Sequence, residues 1–180
     1  MKDKLGPILI VIVLIAAVAA TTASWFIWKQ DEKNRIGVSF ETNGADTECI
    51  TYSTSQNNNQ LLIPVSNKEK GYITSVDIVQ NCNVNLYADF KLKLDKLPQE
   101  LKNKSFKYIF TENSKIIEED NFEGKKQGEI LTIATNQKIE NISKNYKLYL
   151  WIDGNENNDN SMQNKHYEFS LEANIIEKNE

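Results

Sequence analysis

Two stretches of this 180-residue chain alternate apolar and polar residues, and that period of two decides the fold class. In the first, Leu86, Ala88, Phe90, Leu92 and Leu94 share one face, with Asn85, Tyr87, Asp89, Lys91 and Lys93 on the other. In the second, Tyr167, Phe169, Leu171, Ala173 and Ile175 oppose His166, Glu168, Ser170, Glu172 and Asn174. Successive side chains of a strand point to opposite sides, so each stretch reads as a strand with one face in a core and one in water. Tyr146, Leu148, Leu150 and Ile152 repeat the pattern, although Tyr149 and Trp151 make their second face partly apolar.

Runs of β-branched and aromatic residues bounded by turn residues predict strands near 36–41, 47–53, 60–65, 71–81, 84–95, 106–112, 127–135, 145–152 and 165–176. Further short candidates lie at 114–118 and 138–142. Leu97 to Leu101 fits one helical turn, and no stretch after residue 28 sustains a helical period. Many short strands joined by polar turns predict an all-β chain, an antiparallel β-sandwich over residues 36–176. A charged stem, residues 29–35, precedes it, and a polar tail, residues 177–180, follows.

Ahead of the stem, Leu5 to Trp28 is apolar without a single charge. As a helix, these 24 residues span ~36 Å, enough to cross a bilayer core of roughly 30 Å. Pro7 lies at the start, where a missing N–H costs little. Trp25 and Trp28 lie at the far end, where indole rings favour the membrane–water interface. Lys2, Lys4 and the small residues Ala17 to Ala20 also fit a cleaved signal peptide. The apolar run continues past those small residues through Phe26, Ile27 and Trp28, which favours an uncleaved transmembrane anchor over residues 1–28, with Leu5, Trp25 and Trp28 as its markers. Basic residues on the two sides nearly balance and do not set the orientation.

The chain has two cysteines, Cys49 and Cys82, both beyond the anchor. In a translocated domain such a pair reads as a disulfide, and closing that loop contributes roughly 3–4 kcal/mol. In a cytosolic domain the same pair would be two buried thiols.

Function classes narrow by what the chain lacks. A net charge of −4 and a single arginine, Arg35, argue against nucleic-acid binding. His166 is the only histidine, so a catalytic triad or an ordinary zinc site has too few residues to draw on. By the alternation His166 falls on the polar face of a strand. Glu118-Glu119-Asp120 reads as a solvated loop. Gly124 and Gly128 flank a turn with no following helix to bind phosphate. Oxygen-bearing side chains alternate at Asp153, Asn155, Asn157 and Asp159, a spacing that can supply calcium ligands. Counted from Asp153, however, the helix–loop–helix pattern lacks its glycine at position six and its glutamate at position twelve. A polar connection between two strands accounts for the same residues. No cofactor is expected, with calcium as the one open alternative. Tyr87, Tyr149 and Trp151, on outward strand faces, could stack on a sugar ring, so a glycan- or calcium-binding module stands as the alternative function.

The segments CITYSTSQNNNQLLIPVSNKEKGYITSVDIVQNC (49–82), NLYADFKLKL and NYKLYLWIDGNENNDNSMQNKHYEF resemble exported surface proteins of Gram-positive bacteria of the camelysin/TasA-like type. The resemblance covers roughly residues 47–175. It implies a jelly-roll sandwich behind a signal anchor, a paired Cys49 and Cys82, and a place on the outside of the cell membrane, or secretion if the anchor is cut. Camelysin implies a metalloprotease and TasA a biofilm-matrix fibre. The missing zinc ligands depart from the protease, which leaves a non-catalytic structural, matrix or adhesion role. Partners implied are the membrane, an envelope component, or further copies joined by strand addition, in which Ile36 to Phe40 would take part only after cleavage of the anchor.

Overall fold

The computed structural model describes residues 34–57, 62–156, 160–163 and 165–178. The anchor residues Leu5, Trp25 and Trp28 and most of the stem lie outside them. Among the described residues no helix is long and apolar enough to cross a membrane. From Asn34 on, the described residues belong to one compact unit.

That unit is a sandwich of two sheets. Its strands are β1 (Arg35–Asn43), β2 (Ile50–Gln56), β3 (Pro64–Val65), β4 (Tyr72–Gln80), β5 (Leu86–Lys96), β6 (Phe106–Glu112), β7 (Lys115–Asn121), β8 (Ile130–Ile139), β9 (Lys144–Asp153) and β10 (Glu168–Glu177). One sheet has the order β1-β10-β5-β8; the other has β2-β4-β9-β6-β7, with β3 beside the end of β9.

The alternating stretches supply the core as expected. Leu86, Ala88, Phe90, Leu92 and Leu94 are fully buried, and so are Tyr146, Leu148, Leu150 and Ile152. Aromatic rings join the sheets. Phe90 of β5 lies 4.9 Å from Phe110 of β6 and 4.5 Å from Tyr146 of β9, between ring centroids. Phe169 of β10 lies 5.2 Å from Phe122, which stacks in turn on Phe106 at 4.5 Å. Such offset and tilted pairs add roughly 0.5–1.5 kcal/mol each beyond the area they bury.

Several details correct the sequence reading. Two pairings are parallel, β1 with β10 and β3 with β9, so the sandwich is not wholly antiparallel. Apart from the two-residue β3 there are nine strands among the described residues; nine that each reverse direction leave the first and last running the same way. Residues 47–49 form a 3₁₀ turn, started by the Asp46 carboxylate accepting the Glu48 N–H at 3.0 Å, and β2 begins only at Ile50. Residues 127–129 belong to a turn, and the candidate at 138–142 is the tail of β8 followed by a bend. Within 60–65 only Pro64–Val65 is a strand among the described residues. Glu118-Glu119-Asp120 is not a loop: it lies in β7, opposite Phe110, Ile109 and Tyr108. The cause is a two-residue hairpin turn. Asn113 and Ser114 adopt φ of 46° and 71°, the doubly left-handed geometry that matches strand twist. His166 precedes β10 and is half-buried rather than exposed on a strand face.

Candidate functional site

The loop leaving β9 starts as a side-chain-capped turn. Asp153 ends the strand, and its Oδ1 accepts the Asn155 N–H at 3.0 Å, the turn geometry that aspartate makes with the backbone two residues on. Its backbone N–H donates to the Ser105 carbonyl at 2.7 Å, and the Gly154 N–H to the Val65 carbonyl at 2.9 Å. The other carboxylate oxygen, Oδ2, takes the Lys107 ammonium at 3.0 Å, and Glu156 Oε1 takes the same ammonium at 2.9 Å. Partial burial works to raise the Asp153 carboxyl, but Lys107 and the Asn155 N–H outweigh it and hold the group below the ordinary carboxylate value. Glu156 and Asp153 together raise the Lys107 ammonium against the opposing effect of its burial. At its far end the loop is pinned by Met162, which is buried in the main core.

Of the four calcium candidates, Asp153 and Asn155 meet in this turn; Asn157 and Asp159 lie outside the described residues. A cation already faces Asp153, and it is the lysine of β6. Among the described residues no group of three or more His, Cys, Asp or Glu is arranged to hold a metal ion.

Tyr149 and Trp151 do point away from the main core, as the alternation requires, but they are not open to a ligand. With Ile109 they form a second buried cluster on the outer face of the β4-β9-β6 sheet, flanked by Val65 and Ile73. The cover is the segment from Leu62 to Gly71. Leu62 reaches the main core, β3 pairs with β9, and the Lys68 ammonium sits 5.3 Å from the centre of the Tyr149 ring. Gly71 allows this approach: a Cβ there would lie 2.4 Å from the Leu150 carbonyl oxygen and 2.7 Å from Trp151 Cβ. Tyr87, on the other sheet, is half-buried with the Lys178 ammonium 4.9 Å above its ring. These three aromatic residues therefore make no common sugar-stacking platform.

Cys49 and Cys82 lie at disulfide distance, with sulfurs 2.02 Å apart and Cα atoms 5.0 Å apart. The bond ties the residue before β2 to the second residue after β4. Its place has a structural logic. A strand with one buried face has its register fixed by that face, whereas a polar strand exposed on both sides slips easily. β2, ITYSTSQ, is such a strand, exposed from Thr51 to Ser55.

Sequence reasoning missed the Lys107 clamp and the Leu62–Gly71 cover. Lys107 meets Asp153 across 46 positions, and no local pattern announces that pair. The isolated glycine ahead of β4 was the only local signal of the cover, since a lone glycine beside a strand marks a close backbone approach. Compared with known proteins, the chain matches no family model, no curated protein and no solved structure.

Proposed function

We propose that this chain is a non-catalytic β-sandwich held at the bacterial cell surface by Leu5–Trp28, with its domain outside the cytoplasm and a structural, matrix or adhesion role. The cysteine pair carries this reading: a bond that fixes an edge strand endures in an oxidising compartment and is reduced in the cytosol. The apolar run and the resemblance to camelysin/TasA-like surface proteins support it. The strand order supports a jelly roll: with β2 and β3 set aside, first beside last and β4-β9-β6-β7 opposite is the order produced by two Greek keys. A glycan-binding role ranks below, because Tyr149 and Trp151 are covered. A calcium role ranks below as well, because Lys107 occupies the Asp153 carboxylate.

Cell fractionation with thiol labelling tests the reading. The chain is expected in the membrane fraction, open to protease added outside the cell, with no reactive thiol until it is reduced. Recovery from the cytosol with two free thiols would end it. N-terminal sequencing is expected to find Leu5–Trp28 retained; a start beyond Ala20 would instead mean a released domain, whose Ile36–Phe40 would have to leave its pairing with β10 before it could add to another sheet. Calcium titration is expected to leave the thermal midpoint unchanged.

A further inference from the structure

Among the described residues, four strands besides the two-residue β3 end the two sheets, and three of them are guarded. β7 carries Lys115, Glu118, Glu119 and Asp120, and its pairing with β6 is broken by a register shift at Phe110/Thr111. β8 pairs irregularly with β5, contains Asn136 in the left-handed region at φ 56°, and carries Lys138. β1 carries Arg35 and Glu41, and the Ile36 carbonyl accepts Gln56 Nε2 at 2.6 Å. Charges, bulges and covered carbonyls are the means by which proteins stop sheet edges from pairing. β2 has none of them. It has no charge and no proline, and it runs seven residues in unbroken register along β4.

The backbone of β2 faces two ways. The Asn81 N–H donates to the Cys49 carbonyl at 2.8 Å and the Asn57 N–H to the Ile73 carbonyl at 3.1 Å. With the register Thr51↔Val79 to Gln56↔Thr74, these bonds turn the N–H and C=O groups of Thr51, Ser53 and Ser55 toward β4. Those of Tyr52 and Thr54 therefore point outward. Among the side chains, Tyr52 stacks on Phe40 at 3.8 Å and Gln56 accepts the Tyr72 hydroxyl at 2.9 Å, while Thr51, Ser53 and Ser55 stand on the opposite face. Because the disulfide already fixes this strand, little ordering remains to oppose a partner.

We propose that β2 pairs with β2 of a second copy of this chain, antiparallel and centred on Ser53. Charge and register select that partner. In a chain of net charge −4, the acidic β7 edge repels its own copy, whereas β2 meets itself with no charge on either side. About Ser53 the strand is self-complementary. Thr51 falls opposite Ser55, hydroxyl to hydroxyl, Tyr52 opposite Thr54, and Ile50 opposite Gln56. Tyr52 and Thr54 exchange both backbone bonds across the axis, and the two Ser53 residues form a non-hydrogen-bonded pair. The two sandwiches then share one continuous sheet. This deepens the self-association contained in the surface reading, but it does not depend on where the chain resides.

Register-specific cross-linking tests it on the full chain, solubilised in detergent and diluted into excess micelles. A non-hydrogen-bonded antiparallel pair sets Cα atoms ~4.5 Å apart, within the range a disulfide spans. Under mild oxidation Ser53→Cys is expected to give a covalent dimer on non-reducing gels. Thr51→Cys and Ser55→Cys are expected to cross-link when mixed and not singly. Thr54→Pro removes an outward N–H that β4 does not use, so it should cut the Ser53→Cys dimer at least tenfold while circular dichroism stays unchanged. Three results would overturn the pairing: a Ser53→Cys yield no higher than that of Ser39→Cys on the exposed face of β1, indifference to Thr54→Pro in folded protein, or cross-linking of β2 to another polypeptide and never to itself. Failure of the surface reading would appear in fractionation and leave these yields untouched.

Discussion

Phe169, Leu171, Ala173 and Ile175 of β10 are each no more than 1% exposed, while five consecutive residues of β2, Thr51 to Ser55, stand open to solvent. Both are regular strands in unbroken contact with a neighbour over most of their length. The difference lies in what a slip of one residue would cost. In β10 it would turn the whole apolar face into water and bury Glu168, Ser170, Glu172 and Asn174. In β2 it would forfeit the Tyr52 stack on Phe40 and the Gln56 hydrogen bonds, but it would bury no charge and carry no fully buried apolar face into water. Position is thus written into β10 by burial, and into β2 by the covalent tie at Cys49.

The largest effect is expected where burial alone holds the strand. Phe169→Ala empties a site bounded by Phe122, Tyr167 and Phe106, with ring centroids at 5.2, 4.8 and 6.4 Å. Truncating a buried phenylalanine costs about 3–5 kcal/mol, and urea unfolding of the full chain should show that loss across the whole sandwich. A loss confined to β10 would mean that the sheets do not unfold together.

Replacing Cys49 and Cys82 with serine comes next, at roughly 3–4 kcal/mol for a loop of this length. Here the location matters more than the size. Hydrogen exchange should accelerate at Thr51, Ser53 and Ser55, whose amides bond to β4, while the amides joining β10 to β5 keep their rank as the slowest. Equal acceleration in both strands would show that the tie serves the whole fold and that β2 is not set apart. The same double variant should also lower the yield of β2–β2 cross-links.

These two strands also show what could be read before the structure. The faces of β5, β9 and β10 were legible because burial writes itself into every second residue. The β2 edge was legible as a strand, but its start was misplaced by three residues, since the 3₁₀ turn depends on a single Asp46 contact. Glu118 to Asp120 looked like loop because three acids suit water; what makes them strand is the hairpin turn beside them, a backbone property of Asn113 and Ser114. The candidate metal loop was legible as a turn. The ammonium that faces its carboxylate was not, because it arrives from another strand.

A third device, close approach of backbone, holds the Leu62–Gly71 cover. Gly71→Ala forces a shift against the Leu150 carbonyl oxygen and Trp151 Cβ, neither of which is a flexible chain end. Overpacking of this kind costs typically about 1–3 kcal/mol. Acrylamide quenching should increase for Trp151, measured against a Trp151→Phe background that subtracts Trp25 and Trp28. Unchanged quenching with unchanged stability would mean the cover moves without loosening. In that case its hold on the outer cluster comes from Leu62 and β3, a case of burial rather than of fit.

The smallest effect belongs to the charged clamp at the loop. The Lys107 and Asp153 side chains are 21% and 16% exposed, Glu156 is more open, and ion pairs near a surface contribute about 1 kcal/mol or less. The sign follows from the direction of the carboxyl shift. Asp153 is held below the ordinary value of 3.8, so its contribution is present above that pH and is lost as pH falls through the lowered folded value. Lys107→Met removes the ammonium that outweighs burial. The variant should therefore lose up to about 1 kcal/mol at neutral pH and show a shallower loss of stability below pH ~4 than the parent chain. Parallel stability curves for the two proteins across that window would place the clamp's role in turn geometry alone, with the Asn155 N–H rather than the lysine keeping Asp153 in place.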